Sequence, residues 1–204
     1  MTFEIPRNWT FHSDHVADHF DAHVREQLPW YELVTEATAH VARHYIPESG
    51  RVYDIGASTG NIGRALASTI DLRRVEFVPI EASKEMAERY NGPGSVVVAD
   101  AAEYDYRPYD VAILFLTLMF VPPARRRGFI AALRDKLRPG GAIIIVDKRV
   151  PYGGYVSAAL WRLALAGKLA AGADPGQIAA KELALAGIQR PIDPAILGRD
   201  AFEW

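Results

Sequence analysis

The stretch Val52-Tyr53-Asp54-Ile55-Gly56-Ala57-Ser58-Thr59-Gly60 decides the fold. Apolar residues lead into an acid, a turn of small residues follows, and a helical pattern leaves it from Asn61 to Thr69. This reads as a buried strand, a tight turn and a helix start. Small residues at such a turn let a ligand approach backbone that bulkier side chains would block. The acid inside the strand disfavours a bare phosphate and favours a ligand with a cationic part.

Working outward, apolar runs alternate with helical stretches. Strands are expected at residues 51–55, 75–80, 96–99, 111–118 and 142–147, with helices at 60–69, 83–90 and 123–137. The alternation predicts an α/β protein with a parallel, doubly wound sheet covered on both faces. Ahead of it, residues 12–27 and 30–45 read as two helices split by Pro29. Behind it, 155–171 and 175–186 read as helices rich in Ala and Leu. Pro191 and Pro194 make the stretch after Gly187 a poor place for paired strands, because proline lacks the ladder donor. The expected organisation is one domain over 1–204: a helical cap (1–46), a ligand-binding core (51–148) and a helical C-terminal segment (152–204).

Composition sets the outer bounds. The chain has 204 residues, half of them hydrophobic, with a formal charge of −2, which suits a globular protein with a sizeable core. No global basic field advertises nucleic acid. There is no cysteine, so neither a disulfide nor a thiolate metal site is expected. No charged-then-apolar leader opens the chain, and no apolar run approaches the roughly 20 residues that span a bilayer. A cytoplasmic protein without membrane association is the expectation.

Several other motifs fail on spacing. Gly56-Ala57-Ser58-Thr59-Gly60 matches a hydrolase elbow, but all six histidines precede Ser58, and that elbow needs its histidine later. A dinucleotide fingerprint would put glycine where Ser58 stands, and no Gly-Lys-Ser/Thr ending marks a phosphate loop. His12, His15, His19 and His23 would share one helix face, yet no metal is expected there without Cys or a His-Glu-x-x-His arrangement. Arg125-Arg126-Arg127 reads as a solvated basic face.

Three acids survive this filter. Glu81 ends the second strand, 25 residues after Gly56, where an acid can accept both hydroxyls of a ribose. Asp100 follows the third strand and can accept from an adenine amino group. With Asp54 they gather at the carboxyl edge of the sheet, where such folds bind ligands.

At this point the chain resembles the class I S-adenosylmethionine-dependent methyltransferases. Tyr53 to Gly60 looks like their first motif, Glu81 like their ribose acid, Asp100-Ala101 like their adenine pair, and Leu137-Arg138-Pro139-Gly140-Gly141 like the turn before their fifth strand. It resembles more closely the carboxy-S-adenosylmethionine synthases, which supply wobble-uridine modification of tRNA. That likeness spans about residues 11 to 150. It rests on His15 to Phe20 with Leu28-Pro29-Trp30-Tyr31, on Val52 to Gly60, and on Leu114 to Phe120 continuing to Asp147-Lys148. The resemblance implies a Rossmann-like sheet ordered 3-2-1-4-5 under an N-terminal helical lid. It also implies a bound S-adenosylmethionine or carboxy-S-adenosylmethionine. Asp54, Gly56, Ala57, Ser58 and Gly60 would hold the methionine end, Glu81 the ribose, and Asp100 and Ala101 the adenine. Tyr31 and Phe115 would close over the reaction centre.

The departures from that family decide the reading. Phe115 stands where it carries Asn, Met119 where it carries Gln, and Glu182 where an Arg would grip the cofactor's extra carboxylate. The family's C-terminal strand pair is missing. The expectation is therefore methyl transfer to a small-molecule or nucleic-acid acceptor. Carboxy-S-adenosylmethionine synthesis and non-catalytic binding stand as alternatives, and a homodimer is a further expectation. No catalytic base is named; Lys148 and Tyr152 are candidates. Arg190 or Arg199 could replace the absent Arg. The edge of strand 142–147 would be covered by the C-terminal segment or by another subunit, or left bare in a fragment.

Overall fold

The structure, a computed structural model, describes residues 5–7, 9–151 and 153–198. Five parallel strands form its sheet in the order β3-β2-β1-β4-β5: β1 (Arg51–Ile55), β2 (Glu76–Glu81), β3 (Val97–Val98), β4 (Tyr109–Phe115) and β5 (Leu137–Val146). This is the expected doubly wound order. All seven residues of β4 are buried, as a central strand covered on both faces requires.

Alternation along the strands divides the core. Val52, Val111, Ile113 and Ile144 face one layer, with Ile62 and Leu66 of α3 (Asn61–Arg73) and Ala39 and Ala42 of α2 (Tyr31–Arg43). Tyr53, Ile55, Ala112 and Leu114 face the other, against Ile130 and Leu133 of α5 (Pro123–Lys136). Helix α1 (Asp14–Gln27) starts on Ser13, whose hydroxyl accepts the Val16 N–H, and lies with α2 ahead of the sheet. A single turn, α4 (Lys84–Ala87), follows β2.

Four boundaries depart from the sequence reading. The strand expected over 111–118 starts and stops earlier, as β4, and Leu118–Phe120 forms a 3-10 turn instead. β3 shrinks to two residues, and the helix expected over 83–90 shrinks to α4. β5 begins at Leu137, ahead of Pro139-Gly140-Gly141. The glycine turn is absorbed as an irregularity, with Leu137 opposite Tyr109 but Ala142 opposite Val111. After β5 come α6 (Gly154–Ala170) and α7 (Pro175–Ala184). Among the described residues no strand follows β5. Instead Ile192 forms a lone parallel bridge to Arg149, its N–H donating to the Lys148 carbonyl at 2.8 Å. No helix of the described residues is long and apolar enough to cross a membrane.

Candidate functional site

The turn after β1 takes its shape from left-handed backbone. Gly56 (φ +75°), Ser58 (φ +52°) and Gly60 (φ +96°) all lie there, and Gly60 caps α3. A side chain at Gly56 would collide with Thr117, whose hydroxyl donates to the Ile55 carbonyl at 2.9 Å. The Gly56 and Ala57 N–H groups both donate to the Ile80 carbonyl at 2.8 and 2.9 Å, pinning the turn to β2. The loop is therefore preorganised by backbone rather than by a ligand.

A cavity of ≈ 350 Å³ opens over the carboxyl ends of the strands. Of the residues expected there, Tyr31, Asp54, Gly56, Ala57, Ser58, Glu81, Asp100, Ala101 and Phe115 line it; Gly60 does not, and acts as the helix cap behind the loop. Asp54 is buried, and its Oδ2 has no hydrogen-bond partner. Burial first, then the Glu81 carboxylate, pushes its carboxyl up to about 7. The Ser58 hydroxyl is likewise orphaned. Glu81 is held on both oxygens: Ser58 N–H donates to Oε2 at 2.8 Å and Ser83 N–H to Oε1 at 2.9 Å. Burial raises its pKa, and these amides pull it back down. A carboxylate offers about four acceptor directions, so two stay open toward the cavity.

Asp100 sits differently from its expected isolated role. Arg125 Nη1 donates to its Oδ2 at 3.0 Å, and the Ala102 N–H to its Oδ1 at 2.9 Å. The basic run 125–127 is thus not one solvated face. Arg125 joins the cavity wall, while Arg126 is buried and donates to the carbonyls of Val121, Met119, Arg190 and Pro191.

Tyr31 opens α2 and meets Phe115 edge-on, with ring centroids 5.4 Å apart. Burial pushes its hydroxyl well above the usual tyrosine range. Beside it, buried Gln27 lines the cavity with neither amide atom satisfied. Sequence reasoning passed over Gln27, although a polar residue on a covered helix face is itself a signal. Asp21 was also missed: its Oδ1 accepts from the Thr59 hydroxyl at 2.5 Å and from Asn61 Nδ2 at 3.2 Å, tying α1 to the turn.

The four N-terminal histidines do not converge. His12 lies 3.5 Å from Glu85, His15 and His19 neighbour each other at 5.0 Å, and His23 stacks on Trp9 at 5.5 Å. Among the described residues no cluster of His, Cys, Asp or Glu could hold a metal ion.

Past β4, the cavity wall turns cationic. Lys148 donates to Gln189 Oε1 at 2.5 Å, Lys168 to Glu182 Oε1 at 3.1 Å, and the buried Lys181 places Nζ against the Trp9 ring. Glu182 is half exposed and answered by Lys168, so the repulsion expected from it is offset. Arg190 turns its Nε to the Gly187 carbonyl. Tyr152 and Arg199 lie outside the described residues.

An acceptor-rich cradle with orphaned oxygens suits a ligand that brings hydroxyl and ammonium donors, and comparison with other proteins agrees. Residues 52–141 match the family described as "Methyltransferase domain". The chain is 27% identical to the carboxy-S-adenosyl-L-methionine synthase of Aliivibrio salmonicida, over 96% of this chain and 84% of the relative. It is also 27% identical to the synthase of that name from Pseudomonas fluorescens, over 92% and 81%. The fold matches the crystal structure of an S-adenosylmethionine-dependent methyltransferase from Archaeoglobus fulgidus with a TM-score of 0.59. There the identity is 19%, over 89% of this chain and 75% of that one.

Proposed function

We propose, from the premise that residues 52–141 carry a methyltransferase domain on a Rossmann-like fold, that this chain is an S-adenosylmethionine-dependent methyltransferase. The observation that carries the reading is the pair of orphaned buried atoms at one turn, Asp54 Oδ2 and the Ser58 hydroxyl. The methionine ammonium answers Asp54, and the ribose hydroxyls take the free directions of Glu81. The adenine lies by Asp100 and Ala101, and Tyr31 and Phe115 close over the sulfonium. S-adenosylmethionine supplies an electrophilic methyl group. When bound, it would pass that methyl to an acceptor lone pair and leave as a neutral thioether. The protein's part is to position the partners and exclude water.

A second reading, carboxy-S-adenosylmethionine synthesis feeding tRNA modification, draws support from the two synthase relatives. It also draws on the lysines, which would answer an extra carboxylate despite Glu182. A homodimer formed through α6, a cytoplasmic setting and a one-domain organisation complete the proposal.

Calorimetry with S-adenosylmethionine tests the first reading. Glu81→Ala removes charged hydrogen bonds worth roughly 1.5–3 kcal/mol, so affinity should fall about tenfold or more. Unchanged affinity in a folded Glu81→Ala protein would end the ribose assignment. The mass of ligand released from purified protein decides between the two donors, and turnover across acceptor pools separates an enzyme from a binder.

A further inference from the structure

The donor residues account for only half of the cavity wall. Asp54, Glu81 and Asp100 come from β1, β2 and the segment after β3, on one side of the sheet. Lys148 follows β5, at the opposite sheet edge, and Lys168 and Lys181 reach the same cavity from α6 and α7. We infer that this second half is the acceptor subsite, built to hold the anionic group of a small carboxylate- or phosphate-bearing acceptor. The inference rests on the methyltransferase reading and names its substrate class.

Three observations carry it. First, three lysine amines face one cavity, and among the described residues Glu182 is the carboxylate that pairs with any of them, through Lys168. Second, Lys181 is about nine-tenths buried on α7, and its Nζ lies on an aromatic face rather than on an acid. Burying an ammonium without a counter-charge is costly, and such an arrangement calls for an anion to complete it. Third, Gln27 presents an unpartnered, buried amide to the same cavity, ready to donate to an acceptor oxygen.

The protonation pattern agrees with this geometry. Burial, followed by the charges of Lys148 and Lys168, lowers Lys181 to about 6. Burial also lowers Lys148, and burial with the Lys181 and Lys168 charges lowers His23 to about 3. Glu182, with Asp147 beside Lys148, offsets only part of this, so both Lys148 and Lys181 remain short of negative charge. The donor cannot supply it from its sulfonium, which is cationic, and its own carboxylate belongs with the turn after β1. On the methyltransferase reading, whose donor carries no extra carboxylate, the anion enters with the second substrate.

The experiment is calorimetry on the full chain saturated with S-adenosylhomocysteine, titrated separately with malonate, inorganic phosphate and uncharged malonamide. Malonate or phosphate should bind, malonamide should not, and the tighter of the two identifies carboxylate or phosphate as the group recognised. Lys181→Met keeps length and apolar contact, so it should preserve the fold. It should weaken the anion about tenfold or more while S-adenosylhomocysteine affinity stays within about twofold. Lys148→Met should weaken it in the same direction. If S-adenosylhomocysteine itself does not bind, the methyltransferase reading fails. If it binds but neither anion does, or if both lysine variants bind the anions undiminished, the acceptor subsite is refuted. Competition between anion and S-adenosylhomocysteine, in place of simultaneous binding, would also overturn it, because the lysines would then serve the donor.

Discussion

Asp54 shows how a single residue carries fold and function in conflict. The carboxyl is held up to about 7 in the folded chain, against 3.8 for the free group, mainly by burial and then by Glu81. Between those values the folded protein binds the proton and the unfolded chain does not. Stability of the ligand-free protein therefore falls as pH rises through that window, and the full cost stands above about 7. A ligand ammonium reverses the balance by favouring the carboxylate. Two outcomes follow. Asp54→Asn should raise the melting temperature of the ligand-free protein at about pH 8 by several degrees, measured by scanning calorimetry. Binding of S-adenosylmethionine near pH 6.5 should release up to about one proton, seen as a dependence of the apparent enthalpy on buffer ionisation, and Asp54→Asn should abolish it. Asp54 and Glu81 were legible in the sequence because they fall, with Asp100, at successive strand ends beside one small-residue turn; any one such acid alone would have said little. Gln27 and Asp21 were not, and Lys181 was marked only by its likeness to the Lys of a late Lys-Arg pair. Their importance comes from what lies across the cavity from them, and no local pattern records that.

At the scale of elements, periodicity located β1 to the residue and found β4, though it carried β4 past Phe115 into the apolar 3-10 turn Leu118–Phe120. It failed where the chain is less constrained. β3 is an edge strand paired over two residues, and β5 runs through a glycine turn that reads as an interruption. The lid shows a different kind of dependence. Beside the buried Val16 and Val24, its position is held by polar contacts, chiefly Asp21 with Thr59 and Asn61, and Arg89 with Asp14 and Asp18 at 2.9 and 2.6 Å. Removing the Asp21 acceptor should free α1 from the turn without touching the core. Asp21→Ala is expected to speed amide exchange in residues 14–27 and to weaken S-adenosylmethionine about tenfold, with little change in global stability. Helix α6 presents the opposite case. It is apolar around its circumference, yet none of its 17 residues is buried, and Tyr155 and Trp161 are 79% and 64% exposed. A helix of that kind is normally covered. With stable partners burying about 800 Å² each, a second copy is the expected cover. Sedimentation should show a concentration-dependent dimer that Trp161→Glu dissociates. A wild-type monomer at about 100 μM would count against it, since an interface of that size is expected to hold well below that concentration.

For the whole molecule, the question is what completes the sheet beyond β5 when, among the described residues, no strand pair follows. The reading from the sequence, that prolines after Gly187 forbid paired strands, holds for most of that segment, but it missed the anchor. Arg126 was taken for part of a solvated basic run. Its guanidinium instead faces inward and donates to four backbone carbonyls. Two of these, Val121 and Met119, flank the cavity, and two, Arg190 and Pro191, belong to the C-terminal segment. That grip aligns Ile192 to bridge Arg149, with the Val150 N–H donating back to the Ile192 carbonyl at 2.7 Å. The same segment carries Gln189, which receives Lys148. One buried arginine thus joins the end of the sheet to the cationic half of the cavity and leaves the donor half to the turn after β1. Arg126→Met should separate the two. It leaves buried carbonyls without donors, at roughly 1–3 kcal/mol for each that water cannot reach. Urea unfolding should report a loss of that order, and amide exchange at Val150 and Ile192 should accelerate far more than at Ile55 or Leu114. S-adenosylmethionine affinity should stay within about twofold, whereas malonate binding should weaken about tenfold, because its lysines lose their support. Equal losses in both ligands would mean that the arginine stabilises the fold as a whole and that the two halves of the cavity are not held independently.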